Sequence, residues 1–334
     1  MNSSIAIVTG GAGFIGSHMV DLLLDNDFEV RVIDNLSGGH ERNLAHRNSD
    51  RRLHFEKADI CNLESDNILF RGAKFVFHFA GIGDIVPSIE HPIAYMQTNI
   101  QGTIRVLEAS RSARIEKFVY AASSSCYGLA STPTREDHNI DPQYPYALSK
   151  YQGEQAVFHW HQVYGLPVNS IRIFNAYGTR VRTTGAYGAV FGVFFKQKLE
   201  GKPYTVVGNG NQTRDFIYVT DIAKAFLAAA QTSKNGQVYN VGAGTPQKIN
   251  HLVELLGGEI VSIPERPGEP DCTFADIGKI TTELAWQPTV SFEDGVAMMQ
   301  VEIENWQNAP LWDPKSIEKA TKIWFQYMGE KIIN

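Results

Sequence analysis

The chain has 334 residues, 43% hydrophobic and 20% charged, with a formal net charge of −6 and a pI near 5.9. That length suits two lobes on a shared body, and the acidic balance argues against general affinity for nucleic acid or an anionic membrane. Cys61, Cys126 and Cys272 are odd in number and form no Cys-x-x-Cys pair, which fits a reducing compartment and argues against a disulfide framework or a cysteine zinc site.

In chain order, the first half alternates short β-rich runs with longer helical patterns. Ile5–Thr9, Glu29–Asp34, Leu53–Lys57, Phe75–Phe79 and Phe118–Ala122 read as buried strands. Ile15–Leu24, Ile93–Ser112 and Tyr146–Val163 read as helices, and Val168–Phe174 as a sixth strand. Such alternation predicts an α/β fold, a doubly wound parallel sheet covered on both faces by helices. After about residue 175 the pattern loosens into turn-rich loops, TRVRTTGAYG, GNGNQTRD and PERPGEP. Asp221–Gln231 reads as a helix, Val238–Val241 as a strand, and the chain from Phe292 on as helical and rich in Trp and Phe. We expect one domain over 1–174, a smaller substrate-binding lobe over 175–334, and segments such as 212–242 packing back on the first. The start lacks the features of a secretory leader, and no apolar run of about 20 residues occurs, so a cytoplasmic protein with no membrane partner is expected.

The run Thr9-Gly10-Gly11-Ala12-Gly13-Phe14-Ile15-Gly16 follows the first strand and opens the first helix. Gly10 permits the tight turn, Gly13 lets backbone approach a pyrophosphate, and Gly16 lets helix and sheet pack closely. The helix N-terminus offers free N–H groups to phosphate. Asp34 ends the second strand, 18 residues beyond Gly16, where a carboxylate accepts from a ribose 2′-hydroxyl and repels a 2′-phosphate. This is the Rossmann-type arrangement, and it favours NAD over NADP.

Tyr146 and Lys150 stand four apart, on one face of a helix. A free phenol is a poor base near neutral pH; an adjacent ammonium should pull its pKa down, so that Tyr146 can take a proton from a substrate hydroxyl. The preceding strand ends in Ser123-Ser124-Ser125-Cys126-Tyr127-Gly128, where a hydroxyl can help hold the reacting oxygen.

Taken together, TGGAGFIGSH, VIDNLSGG, KADI, HFAG, TNIQGT, SSSCYG, YALSK, RIFNAYG, QTRDFIYVTDIA, YNVG and RPGEP resemble, in order and spacing, the extended short-chain dehydrogenase/reductase family and its nucleotide-sugar epimerases, dehydratases and decarboxylases. The resemblance spans essentially the whole chain. It implies NAD contacts from Gly10, Gly13, Phe14, Ile15, Gly16, Asp34, Asn35, Ser37, Gly38, Asp59, Ile60, Phe79, Ala80, Gly81, Asn99, Tyr146 and Lys150. The catalytic hydroxyl maps to Ser123, and the substrate would meet Ser124, Ser125, Asn175, Arg214, Arg266, Glu269 and Thr273. Arg214 and Arg266 match phosphate-binding arginines, whose forked guanidinium suits a diphosphate. Glu269 matches an acid on the nucleotide ribose, and Thr273 a gate whose small size would admit an N-acetyl group. A homodimer through the helices of Ile93–Ser112 and Tyr146–Val163 is also implied.

The 4,6-dehydratases of that family carry an acid pair directly after the catalytic threonine, because eliminating water needs proton transfer to the leaving hydroxyl. Ser124 and Ser125 stand there instead. This favours 4-epimerisation of a nucleotide sugar, most simply a UDP-sugar, through a transient 4-keto sugar with tightly bound NAD. Dehydration or decarboxylation by an unmapped acid, and a non-catalytic NAD-binding regulator, are the alternatives. Cys126 reads as a small packing residue, and Arg180, Arg182 and Thr184 either meet a charged sugar or cap a solvated loop. His159 and His161 point to different sides of a helix, and no metal is expected.

Overall fold

The computed structural model describes residues 3–183, 190–265 and 269–328. Strands β1 (Ile5–Thr9), β2 (Glu29–Asp34), β3 (Leu53–Lys57), β4 (Ala73–His78), β5 (Lys117–Ser123) and β6 (Val168–Ile173) join a seventh strand, Gln237–Val241, in one parallel sheet. From one edge the order is Gln237–Val241, β6, β5, β4, β1, β2, β3. The direction of winding reverses between β1 and β4, and the crevice beyond the strand ends at such a reversal is where sheets of this kind hold ligands.

Burial on both faces explains the near-continuous apolar inner strands; Leu53–Lys57, expected to be buried, is the edge strand and is largely exposed. On one face the helices Phe14–Asp25 and Val219–Gln231 pack on the sheet through Met19, Leu23, Ile222 and Phe226. On the other, the helices Thr103–Ala113 and Pro145–Tyr164 cover Ile7, Val76, Phe118 and Tyr120 through Val106, Leu107 and Val157. The Pro145–Tyr164 helix starts on a proline, whose missing N–H costs nothing in a first turn, and stops at Gly165, left-handed at φ 69°.

Several expected elements shift by a residue or two at their ends, and two differences bear on the site. The fourth strand ends at His78, and Phe79 has left it, with its N–H donating to the Thr9 carbonyl at 3.0 Å. The Ile93–Ser112 pattern is not one regular helix. Pro92–Met96 runs into a π turn at Gln97–Gly102 and resumes as an α-helix at Thr103–Ala113. The wide turn inserts an extra residue, a feature frequent at functional sites, and it carries Asn99.

The remaining chain builds an aromatic core from Tyr177, Phe191, Phe194, Phe195, Tyr204, Phe216, Phe292 and Trp306. Short pairings stitch it: Asn175–Tyr177 with Phe216–Tyr218, Tyr204–Val207 with Ile260–Ile263, and Thr213–Arg214 with Gln247–Lys248. Asp221, fully buried, accepts from the Thr289 and Val290 N–H groups at 2.7 and 2.8 Å and ties this part to the Val219–Gln231 helix. The last helix, Pro314–Met328, lies against the short helix Ile85–Glu90. Among the described residues no helix is long and apolar enough to cross a membrane.

Candidate active site

The glycine loop turns where β1 ends. Gly10 has φ 69°, and a Cβ there would lie 2.7 Å from the Ala80 backbone nitrogen. A Cβ on Gly16 would strike the Gly10 carbonyl. The helix at Phe14 begins without a side-chain cap and with no acid in its first turn, so its N–H groups and partial positive charge face the crevice. Phe14 and Ile15 are only partly buried at that turn.

Asp34 closes β2 as a braced carboxylate: Oδ2 accepts from the Ala12 N–H at 3.0 Å and Oδ1 from the Leu36 N–H at 2.8 Å. Each oxygen keeps a lone pair for a ribose hydroxyl. Beyond it, Asn35 donates to Asp59 at 2.9 Å and accepts from the Ser37 N–H, while Gly38 faces open space. The Cys61 N–H bonds Asp59 and holds its carboxyl below the usual range, and Ile60 packs into the core beside it. A glycine cradle that any Cβ would fill, an uncapped helix start and a fixed acid together fit an NAD dinucleotide.

Opposite, a buried relay fixes the Phe79–Gly81 segment. Thr103 donates its hydroxyl proton to the Asn99 carbonyl at 2.7 Å. It therefore accepts from His78 Nε2 at 2.9 Å, which leaves His78 Nδ1 to accept from the Thr9 hydroxyl at 2.6 Å. Burial lowers the His78 pKa to about 3, so the ring stays neutral. Thr9 Oγ1 in turn accepts from the Ala80 N–H at 3.4 Å. Asn99 accepts from the Ile82 N–H at 2.8 Å and donates to the Ile82 carbonyl at 3.0 Å and to Ser149 Oγ at 2.9 Å. Phe79 rests on Phe226, ring centroids 4.5 Å apart. Gly81 lies between Asn99 and Lys150: a Cβ would be 2.9 Å from Asn99 Oδ1 and 3.7 Å from Lys150 Nζ.

β5 delivers Ser123 and the Pro145–Tyr164 helix delivers Tyr146 and Lys150. The Ser123 hydroxyl bonds the Tyr146 phenol and also accepts from the Ser125 N–H at 3.2 Å. One expectation is corrected. Burial outweighs every other influence on Tyr146 and pushes its pKa up; the Ser123 bond opposes this, and Lys150 is not among the groups that lower it. Lys150 packs over the Tyr120 ring with Nζ 4.5 Å from the centroid. Burial lowers its pKa to about 8, against the pull of Glu154 one turn along. Glu154 is held by Arg172 at 2.7 Å and by Ser170 at 2.7 Å.

Ser125 bonds the Tyr144 hydroxyl, and Tyr144 stacks on Tyr146, centroids 6.4 Å apart and planes 8° apart. Tyr95 meets Tyr146 edge-on at 6.5 Å. Sequence reasoning missed Tyr144 and Tyr95; the Tyr-Pro-Tyr run was the one available signal for the first. Asp84, whose charge raises the Tyr146 pKa, is paired with Arg182 at 3.2 Å. Arg180, left-handed at φ 63°, pairs with Asp21 at 2.7 Å. Cys126 is buried in a small apolar cluster, and desolvation pushes its thiol up to about 12.

The predicted nucleotide residues gather around the Thr213–Arg214 strand. Arg214 pairs with Glu269 at 2.8 Å and donates to the Thr213 carbonyl at 2.9 Å. Thr273 donates to Asn175 Oδ1 at 2.6 Å and accepts from the Asp215 N–H at 3.1 Å. Asp215, also missed, is fully buried and accepts from the N–H groups of Ala243, Gly244 and Ala275. Arg266 and Thr184 lie outside the described residues.

A family model described as the NAD dependent epimerase/dehydratase family matches residues 6–242. A relative from Methanocaldococcus jannaschii, named a putative UDP-glucose 4-epimerase, is 36% identical over 299 residues, 87% of this chain and 95% of its own length. The UDP-N-acetylglucosamine 4-epimerase from Methanobrevibacter ruminantium M1, solved with UDP-N-acetylmuramic acid, is 34% identical with a TM-score of 0.84, covering 90% of this chain and 100% of that one. The UDP-glucuronic acid 4-epimerase from Bacillus cereus, solved with UDP-glucuronic acid and NAD, is 33% identical with a TM-score of 0.84, covering 90% and 99%. dTDP-glucose 4,6-dehydratases are also among the relatives, at 31% identity. The sheet order, the glycine cradle, the braced Asp34 and these matches agree: the chain is an enzyme of the extended short-chain dehydrogenase/reductase group that uses NAD, and it belongs to the NAD-dependent epimerase/dehydratase family.

Proposed function

We propose that the protein is a nucleotide-sugar 4-epimerase acting on a UDP-hexose, UDP-N-acetylhexosamine or UDP-uronic acid. One observation carries this reading. Around the Ser123–Tyr146–Lys150 group, the two positions after Ser123 hold Ser124 and Ser125, which cannot protonate a leaving hydroxyl near neutral pH. Ser125 is in any case engaged with Tyr144. Asp84, the carboxylate whose charge reaches Tyr146, is tied to Arg182.

In this reading Ser123 and Tyr146 hold the sugar C4 hydroxyl between them, and Tyr146 takes its proton. NAD, when bound, supplies the acceptor for the C4 hydride and returns it. Lys150, while protonated, would hold the nicotinamide ribose when NAD is bound. Tyr146 then reprotonates the oxygen once the sugar has turned its other face. Arg214 grips the diphosphate as Glu269 shifts to the ribose, and Asn175 with Thr273 borders the sugar. NAD stays bound through the cycle. We also propose a homodimer through the helices flanking Asn99 and Tyr146, which leave Ile93, Leu148, Val163 and Tyr164 exposed; sedimentation at micromolar concentration checks it. The test of the reaction is incubation of the NAD-loaded protein with UDP-, dTDP-, GDP- and CDP-sugars. A product differing only at C4 is expected, and a stable 4-keto-6-deoxy sugar or released carbon dioxide would overturn it.

A further inference from the structure

The final helix, Pro314–Met328, buries Ile317, Thr321, Trp324 and Met328, spaced so that they share one face. That face lies against Ile85–Glu90, the helix that follows the Gly81–Asp84 loop beside Lys150. Trp324 reaches further, to Tyr144, with ring centroids 5.9 Å apart. Tyr144 is parallel to Tyr146. Three aromatic rings therefore run from the end of the chain to the proton-transferring phenol.

We propose that this helix walls the sugar end of the site and that Trp324 is a positioning residue, acting through Tyr144 to fix the Tyr146 ring. The inference rests on the epimerase reading for the step it serves. Tyr146 has the Ser123 hydroxyl at its oxygen, the edge contact with Tyr95 on one side and the face of Tyr144 on another. Without Trp324 behind it, Tyr144 loses its support, and the phenol can swing away from Ser123. A misplacement of about 1 Å at a reacting group costs on the order of 100-fold in rate.

The experiment uses the full-length, NAD-loaded protein with Trp324→Ala, Trp324→Phe and, as a packing control on the same helix face, Ile317→Ala. Calorimetry measures binding of NAD, UDP and UDP-sugars, and NMR measures turnover. Trp324→Ala is expected to lower kcat by about 10- to 100-fold and to weaken UDP-sugars but not UDP or NAD. Trp324→Phe should restore most of both, and Ile317→Ala, on the same face but without a ring against Tyr144, should cost clearly less than Trp324→Ala. Equal losses in Ile317→Ala, equal weakening of UDP and UDP-sugars, or wild-type behaviour of Trp324→Ala would overturn the proposal. A wild-type protein that forms no C4 epimer would instead defeat the epimerase reading. The ratio of UDP-sugar to UDP affinity would still judge the wall, an unchanged ratio in Trp324→Ala refuting it.

Discussion

Replacing Asn99 by alanine tests whether the cofactor crevice is held from the π turn. Asn99 is 1% exposed and makes three side-chain bonds, two to the Ile82 backbone and one to Ser149. At about 1 kcal/mol net for each bond the loss is about 3 kcal/mol, and water reaching half-buried Ile82 should return part of it, so a destabilisation of about 2–3 kcal/mol is expected. The π-turn backbone should survive, because Thr103 bonds the Asn99 carbonyl and not its side chain. What loosens is the Phe79–Ile82 segment. If about 1.4 kcal/mol of the loss is felt there, NAD affinity falls about tenfold. Urea unfolding gives the stability, and calorimetric titration with NAD gives the affinity. A variant within about 0.5 kcal/mol of wild type, with unchanged NAD binding, would refute the reasoning.

Gly10→Ala puts a Cβ against the Ala80 nitrogen in a left-handed turn; NAD binding should drop at least about tenfold, with about 1–3 kcal/mol lost in urea unfolding. Asp34→Ser removes the carboxylate that repels a 2′-phosphate, so the NAD-over-NADP preference should shrink by about an order of magnitude in paired titrations. Lys150 loses its proton as pH rises through about 8, so turnover should fall on that side. Because Glu154 raises the Lys150 pKa, Glu154→Gln should move the fall to lower pH in a pH–rate profile. It also removes the carboxylate paired with the buried Arg172, which keeps the Tyr127 hydroxyl and the Glu136 carbonyl, at a cost of about 3–5 kcal/mol in urea unfolding.

The first two strands were legible to the residue because each is a short, largely apolar run between turn signals, with the glycine loop and Asp34 marking the ends; the third, Leu-His-Phe-Glu-Lys, carries only two apolar residues on an exposed sheet edge. Proline and glycine likewise placed the ends of the Tyr146 helix within a residue. The π turn at Asn99 was not legible, since one inserted residue barely disturbs the 3.6-residue spacing of apolar positions. Nor was the Thr9–His78–Thr103 relay, whose members are 69 and 25 residues apart and meet only once the sheet forms. The Tyr–Lys spacing spoke of a cation lowering the phenol pKa, but the burial that raises it depends on how the whole site packs. The last helix was visible as an amphipathic, aromatic stretch, and its place beside Tyr144 rests on contacts across about 180 residues of chain.

The central claim is tested most directly by following one UDP-sugar in NAD-loaded wild type and in Tyr146→Phe by NMR. The wild type should yield a mixture of the two C4 epimers with the rest of the sugar unchanged, and Tyr146→Phe, with its folding and NAD binding verified by circular dichroism and calorimetry, should yield almost none. A 4-keto-6-deoxy or decarboxylated product from the wild type, or full turnover in Tyr146→Phe, would contradict the account.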